Sequence, residues 1–226
     1  MHLRHNSVTV LAAETFLLLG NNLLVLNFDD NGLEFIYSKA FDGLTRLKSL
    51  SLGDNKMTFL PGDTFSKMLN ITILVLRRSN LSSVFSRLFD KLICLKRLDL
   101  SGNNLVHLPV GSLRSSTQLR YVDLSDNNFT TLSSCTMAET YSELSTLSLL
   151  GNYNLQCDCR LTWLVSYCFL FFWYHSVAID SKFNYRRMSM WSMSPRPLGW
   201  EVPVTYSTCS AGFRKLTPPY WGTCYS

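Results

Sequence analysis

The 226-residue chain is 46% hydrophobic and 16% charged, and its net charge is +5. Most of that excess sits in residues 157–226, with seven Lys/Arg against three Asp/Glu, which leaves 14 basic and 13 acidic residues in 1–156. A near-neutral balance over that length gives no support to the basic stripe that double-stranded RNA favours.

An Asn-centred pattern returns every 24 or 25 residues across 1–156. Its clearest copies are Leu47-x-x-Leu50-x-Leu52-x-x-Asn55-x-Met57 and Leu95-x-x-Leu98-x-Leu100-x-x-Asn103-x-Leu105. The frame also fits Leu23/Leu26/Phe28/Asn31/Leu33, Ile71/Leu74/Leu76/Ser79/Leu81, Leu119/Val122/Leu124/Asn127/Phe129 and Leu144/Leu147/Leu149/Asn152. A fixed period of this size predicts a solenoid, in which each unit buries its apolar edge only by stacking on its neighbours. The Leu-x-Leu segment predicts a short strand with its apolar side chains turned inward. The Asn should bond the backbone groups that the following turn leaves unpaired. Ser79 stands in the Asn place of one copy and predicts a slightly looser turn there.

The chain start keeps the same register. Met1, Leu3, Asn6, Val8, Leu11 and Phe16 occupy the places of Leu50, Leu52, Asn55, Met57, Leu60 and Phe65. A secretory leader would not hold that register, and Glu14 interrupts its apolar run, so these residues are expected to form a partial repeat. Ten residues after each Asn place stands a large apolar residue: Phe16, Phe41, Phe65, Phe89, Leu113 and Met137. These are expected to pack the wall opposite the strands.

Beyond the last repeat the composition changes. Five of the seven cysteines, Cys157, Cys159, Cys168, Cys209 and Cys224, lie there, while Cys94 and Cys135 fall within the repeats. Structural zinc usually takes paired Cys-x-x-Cys ligands or a nearby His, and neither spacing occurs, so disulfides are the expected use of these thiols. The run Leu161–Ile179 holds no Asp, Glu, Lys or Arg. It is long enough for a membrane span, yet a cap helix with one face on the last repeat is the preferred reading. The sequons Asn70-Ile-Thr, Asn80-Leu-Ser and Asn128-Phe-Thr fall at coil edges, where a glycan would project.

The repeat pattern is that of leucine-rich repeats. With its recurrent Phe and the Asn154-Leu-Gln-Cys157-Asp-Cys159-Arg-Leu-Thr-Trp163 motif, the chain resembles the C-terminal part of a Toll-like receptor ectodomain. Slit-like, proteoglycan-like and neuronal adhesion proteins carry related caps. The resemblance implies an α/β fold: a leucine-rich repeat solenoid, horseshoe-arced, with short parallel strands on its concave face. Residues 1–156 would form about seven repeats, the first truncated, and residues 157–226 a disulfide-stapled C-terminal cap. It further implies that Cys157 pairs with Cys209 and Cys159 with Cys224, with Cys168 an alternative third partner. The gap from Cys159 to Cys209 is longer than the family pattern.

The outward strand and turn positions carry the candidate ligand contacts: Asp29, Asp54, Arg77, Arg78, Arg97, Asp99, Tyr121 and Asp123. Arg78 and Arg97 are expected to reach neighbouring aspartates. Scattered histidines and the lack of a Gly-x-Ser-x-Gly or phosphate-loop motif point away from an enzyme, and no cofactor or metal is expected. The function expected is ligand binding by part of a Toll-like pattern-recognition receptor in innate immunity. Its partner would be a protein or other macromolecule, with homo- or heterodimeric pairing through the cap. Nothing in the composition supports nucleic acid as ligand, and the resemblance leaves it open. The compartment expected is extracellular or lumenal, with a parent receptor anchored at the cell surface or endosome by a single span outside this chain. The alternative is a secreted or cell-surface adhesion protein without immune signalling.

Overall fold

The computed structural model describes residues 1–19, 22–137, 140, 143–155 and the backbone of 176–178. They fall within one compact unit, Met1–Ser181. The expected boundary between 156 and 157, and the cysteines at 157, 159, 168, 209 and 224, lie outside the described residues.

The fold is a parallel-strand solenoid. Its strands are β1 (Val10–Leu11), β2 (Val25–Asn27), β3 (Phe35–Ile36), β4 (Ser49–Ser51), β5 (Ile73–Val75), β6 (Arg97–Asp99), β7 (Tyr121–Asp123), β8 (Thr146–Ser148) and β9 (Ser176–Ala178). One sheet runs β2-β4-β5-β6-β7-β8-β9, and a two-stranded sheet pairs β1 with β3. Every pairing is parallel, and β2, β4, β5, β6, β7 and β8 keep one register: Leu26, Leu50, Leu74, Leu98, Val122 and Leu147 stand side by side. Each is at most 1% exposed, because the middle residue of a three-residue strand points into the coil while its two neighbours point out. Before β2, residues 1–5 continue the ladder: His2 bridges Asn27, and the Leu3 and His5 amides donate to the carbonyls of Asn27 and Asp29. The register expected for the chain start is thus present.

Opposite the sheet, the expected column is buried. Phe16, Phe41, Phe65, Phe89, Leu113 and Met137 are each at most 2% exposed. Phe16 stacks on Phe41 at 5.9 Å between ring centres, and Phe41 on Phe65 at 6.0 Å. Most of this wall is built of turns; the described residues hold one short helix, α1 (Ser134–Met137).

The asparagines tie the coils together. Asn55 accepts the amides of Asn31 and Leu33 on Oδ1 and donates from Nδ2 to the carbonyls of Phe28, Leu52 and Gly53. Asn103 repeats this against Ser79, Leu81, Leu76, Leu100 and Ser101. All are buried, so each unmet backbone group would carry a desolvation cost of about 1–3 kcal/mol. Ser79 replaces part of the set: its hydroxyl donates toward the carbonyls of Leu52 and Arg77.

The residue before each Asn place adopts left-handed backbone: His5, Asp30, Asp54, Arg78, Gly102, Asp126 and Gly151 have φ between 47° and 72°. This is how the chain leaves the sheet. The kinked residue still donates its amide to the next coil, Asp54 to Arg77 O at 2.9 Å and Arg78 to Ser101 O at 2.8 Å.

The run Leu161–Ile179 departs from a helix at its end. Ser176–Ala178 is a strand, with Thr146↔Ser176 and Ser148↔Ala178 in register. A strand there meets the backbone groups that β8 would otherwise leave unpaired, and neither a cap helix nor a span includes those three residues. The remainder, 161–175, is outside the described residues. No helix among the described residues is long and apolar enough to cross a membrane.

Candidate ligand-binding face

The outward positions of β2, β4, β5, β6, β7 and β8, with the turns that follow, form one continuous face. Three of the expected contact residues hold this face together. Asp29 is 4% exposed, and its Oδ1 accepts the Ser51 hydroxyl and, at 2.8 Å, the Gly53 amide. Asp99, 7% exposed, accepts the Ser101 amide at 3.1 Å and its hydroxyl at 2.6 Å. Asp123 does the same for Ser125 and also accepts the Tyr121 hydroxyl at 3.0 Å. A carboxylate two residues upstream satisfies the turn that a short strand leaves open. Their oxygens are largely committed to the fold.

The others remain at the surface. Asp54 lies between Arg77, at 3.7 Å, and Arg78, which grips both its oxygens through Nε and Nη2. The Arg78 hydrogen bond, opposed by burial and assisted by the charges of Arg78, Arg77 and Arg4, holds the Asp54 carboxyl below the usual carboxylate range. Arg97 behaves differently from expectation: its guanidinium carbon sits 4.3 Å over the Tyr121 ring rather than on an aspartate. The register explains this, since Arg97 and Tyr121 are direct cross-strand neighbours. Burial, then the Asp123 charge and hydrogen bond, push the Tyr121 hydroxyl above its ordinary pKa, with Arg97 opposing.

Column by column, charge is sorted across the face rather than mixed. On the leading edge, before and at the first strand residue, stand Arg46, Lys48, Lys96, Arg97 and Arg120, with Glu143 the one acid in those columns. On the trailing edge, Asp29, Asp30, Asp54, Asp99, Asp123 and Asp126 outnumber Arg4, Arg77 and Arg78 from the same columns, and Arg4 lies 3.9 Å from Asp29. Equal totals of Asp and Arg concealed this, because sorting becomes visible only when each residue is assigned a column. The pair His5–Asp30, 2.6 Å apart, was also missed; its signal was their shared place before the Asn.

The three sequon asparagines Asn70, Asn80 and Asn128 are all exposed. Asn80 and Asn128 share one column two coils apart, whereas Asn70 lies on the leading edge and donates to Thr45 O at 2.8 Å. Among the described cysteines, Cys94 is free and half-buried, and Cys135 is disulfide-bonded. The pairing implied by the family resemblance had left Cys135 out. Among the described residues no cluster of His, Cys, Asp or Glu could hold a metal ion.

The leucine rich repeat family profile matches residues 1–57, 45–105 and 93–153. No curated protein matches the chain by sequence. Among solved structures, the chain is similar to TLR13 in its complex with ssRNA13, at 23% identity and a TM-score of 0.51, over 66% of this chain and 26% of that one. It is similar to human 5T4 (Wnt-activated inhibitory factor 1, trophoblast glycoprotein) at 22% identity and a TM-score of 0.52, over 80% and 77%. The APL1 leucine-rich repeat domain gives 26% identity and a TM-score of 0.59, over 65% and 37%. The chain thus spans about a quarter of the TLR13 chain and over a third of APL1. The profile covers residues 1–153 with a repeat whose strands, asparagines and buried columns are all in place, and the chain belongs to the leucine-rich repeat family.

Proposed function

We propose that the chain is a ligand-binding part of a Toll-like pattern-recognition receptor ectodomain, recognising a protein or other macromolecule on its strand face and acting by receptor pairing. The observation that carries the binding role is the open face itself: outward residues of six in-register strands, none covered by another element among the described residues. Solenoids use such extended surfaces for recognition. The recurrent Phe column and the Cys157-x-Cys159 motif support the Toll-like refinement. The Cys135 disulfide and the exposed sequons support an extracellular or lumenal compartment. In the TLR13 structure the partner is RNA; that ligand class transfers to this chain only as a candidate.

The likeness to 5T4 over most of both chains favours a second reading, a cell-surface interaction protein without immune signalling. Sequencing the transcript past Ser226 separates the two. A membrane helix followed by a Toll/interleukin-receptor domain is the expected result. A continuation that encodes an anchor and no such domain overturns the receptor reading and leaves the second.

A further inference from the structure

The leading edge carries a row of cations whose spacing the solenoid sets. Lys48, Lys96 and Arg120 occupy one column, the residue before each strand, and all three are exposed. Strands stack about 4.8 Å apart, so Lys96 and Arg120 stand about one strand spacing apart and Lys48 and Lys96 about twice that. Arg97 adds a fourth charge beside Lys96, its guanidinium flattened on Tyr121. Arg46 and Lys48 line a cleft of about 170 Å³ with Leu24 and Asn70, and no acid contributes to its lining. The acid in these columns, Glu143, touches the row at its end, 3.6 Å from Arg120 with both groups exposed. Such a pair is worth little and is readily exchanged.

We propose that this row binds a linear sulfated polysaccharide laid across the strand starts. Two observations select a thin anionic chain. The strands are three residues long, so a nucleic-acid duplex seated on the row would overhang the acidic trailing edge formed by Asp30, Asp54 and Asp126. Single-stranded nucleic acid gains much of its affinity by stacking bases on aromatic rings. The one aromatic ring of the row, Tyr121, already has Arg97 over its face and its hydroxyl committed to Asp123. What the row offers is charge spaced in whole multiples of the strand separation, which fits sulfate groups. This inference does not rest on the receptor reading and holds for either proposed function.

Asn70 sits between the two halves of the row, and a glycan there would stand over Arg46 and Lys48. The test therefore uses the full 226-residue chain with Asn70→Gln, titrated with a heparin-derived oligosaccharide over a range of salt. The column itself supplies neutral replacements, since Thr72 and Ser145 occupy it in other coils. Lys48→Ser, Lys96→Ser and Arg120→Ser together are expected to weaken binding at least about tenfold and to flatten its salt dependence. A matched triple of exposed cations elsewhere, Lys67→Ser, Lys91→Ser and Arg114→Ser, is expected to change affinity less than about threefold, although it removes the same charge. Equal losses in the two triples would show that only net charge matters and would overturn the site. Absence of binding at about 150 mM salt would do the same. Tighter binding of a single-stranded RNA of equal charge would overturn the polysaccharide assignment.

Discussion

Asn103 reaches back one coil to Ser79: its Oδ1 accepts the Ser79 amide at 3.0 Å and the Leu81 amide at the same distance. Ser79 does not pass the arrangement on. Its hydroxyl donates to Leu52 O and Arg77 O, whereas an asparagine there would also offer Oδ1 to the amides of Asn55 and Met57. Ser79→Asn is expected to stabilise the fold by about 1–2 kcal/mol, because it caps buried donors within a backbone already shaped for the amide. Thermal denaturation should show a rise of several degrees. A fall would mean that this turn had closed too tightly to admit the larger side chain.

Gly151 and Asp126 are neighbours in the left-handed column. A Cβ on Gly151 would lie 3.1 Å from Asp126 Cα, at a φ of 72°. Gly151→Ala is expected to cost about 1–3 kcal/mol, from left-handed strain together with the displacement of Asp126. Chemical denaturation would read this as a lower midpoint at unchanged slope.

Arg78 is the bulkiest residue in that column, at φ 47°. Replacing it with glycine relieves the strain and removes its bond to Asp54, terms of similar size and opposite sign. Arg78→Gly should therefore leave stability within about 1 kcal/mol of the parent chain. Any loss of ligand binding in this variant would report on recognition, which makes it a clean probe of the strand face.

Asp54 gives a pH dependence with a defined sign. Its carboxyl is held below the usual range chiefly by the Arg78 hydrogen bond, against burial. Its stabilising share is present above the unfolded carboxylate pKa of about 3.9 and is lost as pH falls through the lower folded value. Asp54→Asn tolerates the left-handed backbone and should flatten the stability curve below about pH 4, measured by denaturation across pH. An unchanged acid limb would show that the pair contributes nothing measurable.

Cys135 and Cys94 differ in bonding although both lie in the repeats. A non-reducing peptide map should recover Cys135 only in a cross-linked peptide, with Cys94 open to alkylation. Cys135→Ser is expected to cost about 2–4 kcal/mol, seen as a lowered thermal midpoint. Recovery of a freely alkylated Cys135 from native protein would refute the bridge.

The features that repeat were legible in the residues alone. Leu50, Asn55 and Phe65 announce a coil because each does one job at one fixed offset, and the same offsets recur in Leu98, Asn103 and Leu113. The candidate site was less legible. Asp99 and Asp123 read as open charges, yet each is taken up by a serine two residues on, a contact that depends on how the turn closes. Arg97 was expected on an aspartate and lies on Tyr121, because cross-strand register rather than charge decides its neighbour. The left-handed column was invisible, since His, Asp, Arg and Gly share no obvious property until their φ angles are compared. Cys135 could not be assigned, because a thiol carries no mark of its partner.

The column before each Asn constrains how this surface can vary. Wherever the backbone must be left-handed, Gly and Asp dominate and a longer side chain brings strain, as at Arg78. The column that precedes each strand carries no such restriction: Leu24, Lys48, Thr72, Lys96, Arg120 and Ser145 share one backbone shape with very different chemistry. Substitutions can accumulate on that leading edge at little cost to folding, while the trailing edge stays tied to its turns. A solenoid of this kind would acquire new ligands along one margin of its sheet first, and an engineer seeking to redirect its binding would begin there.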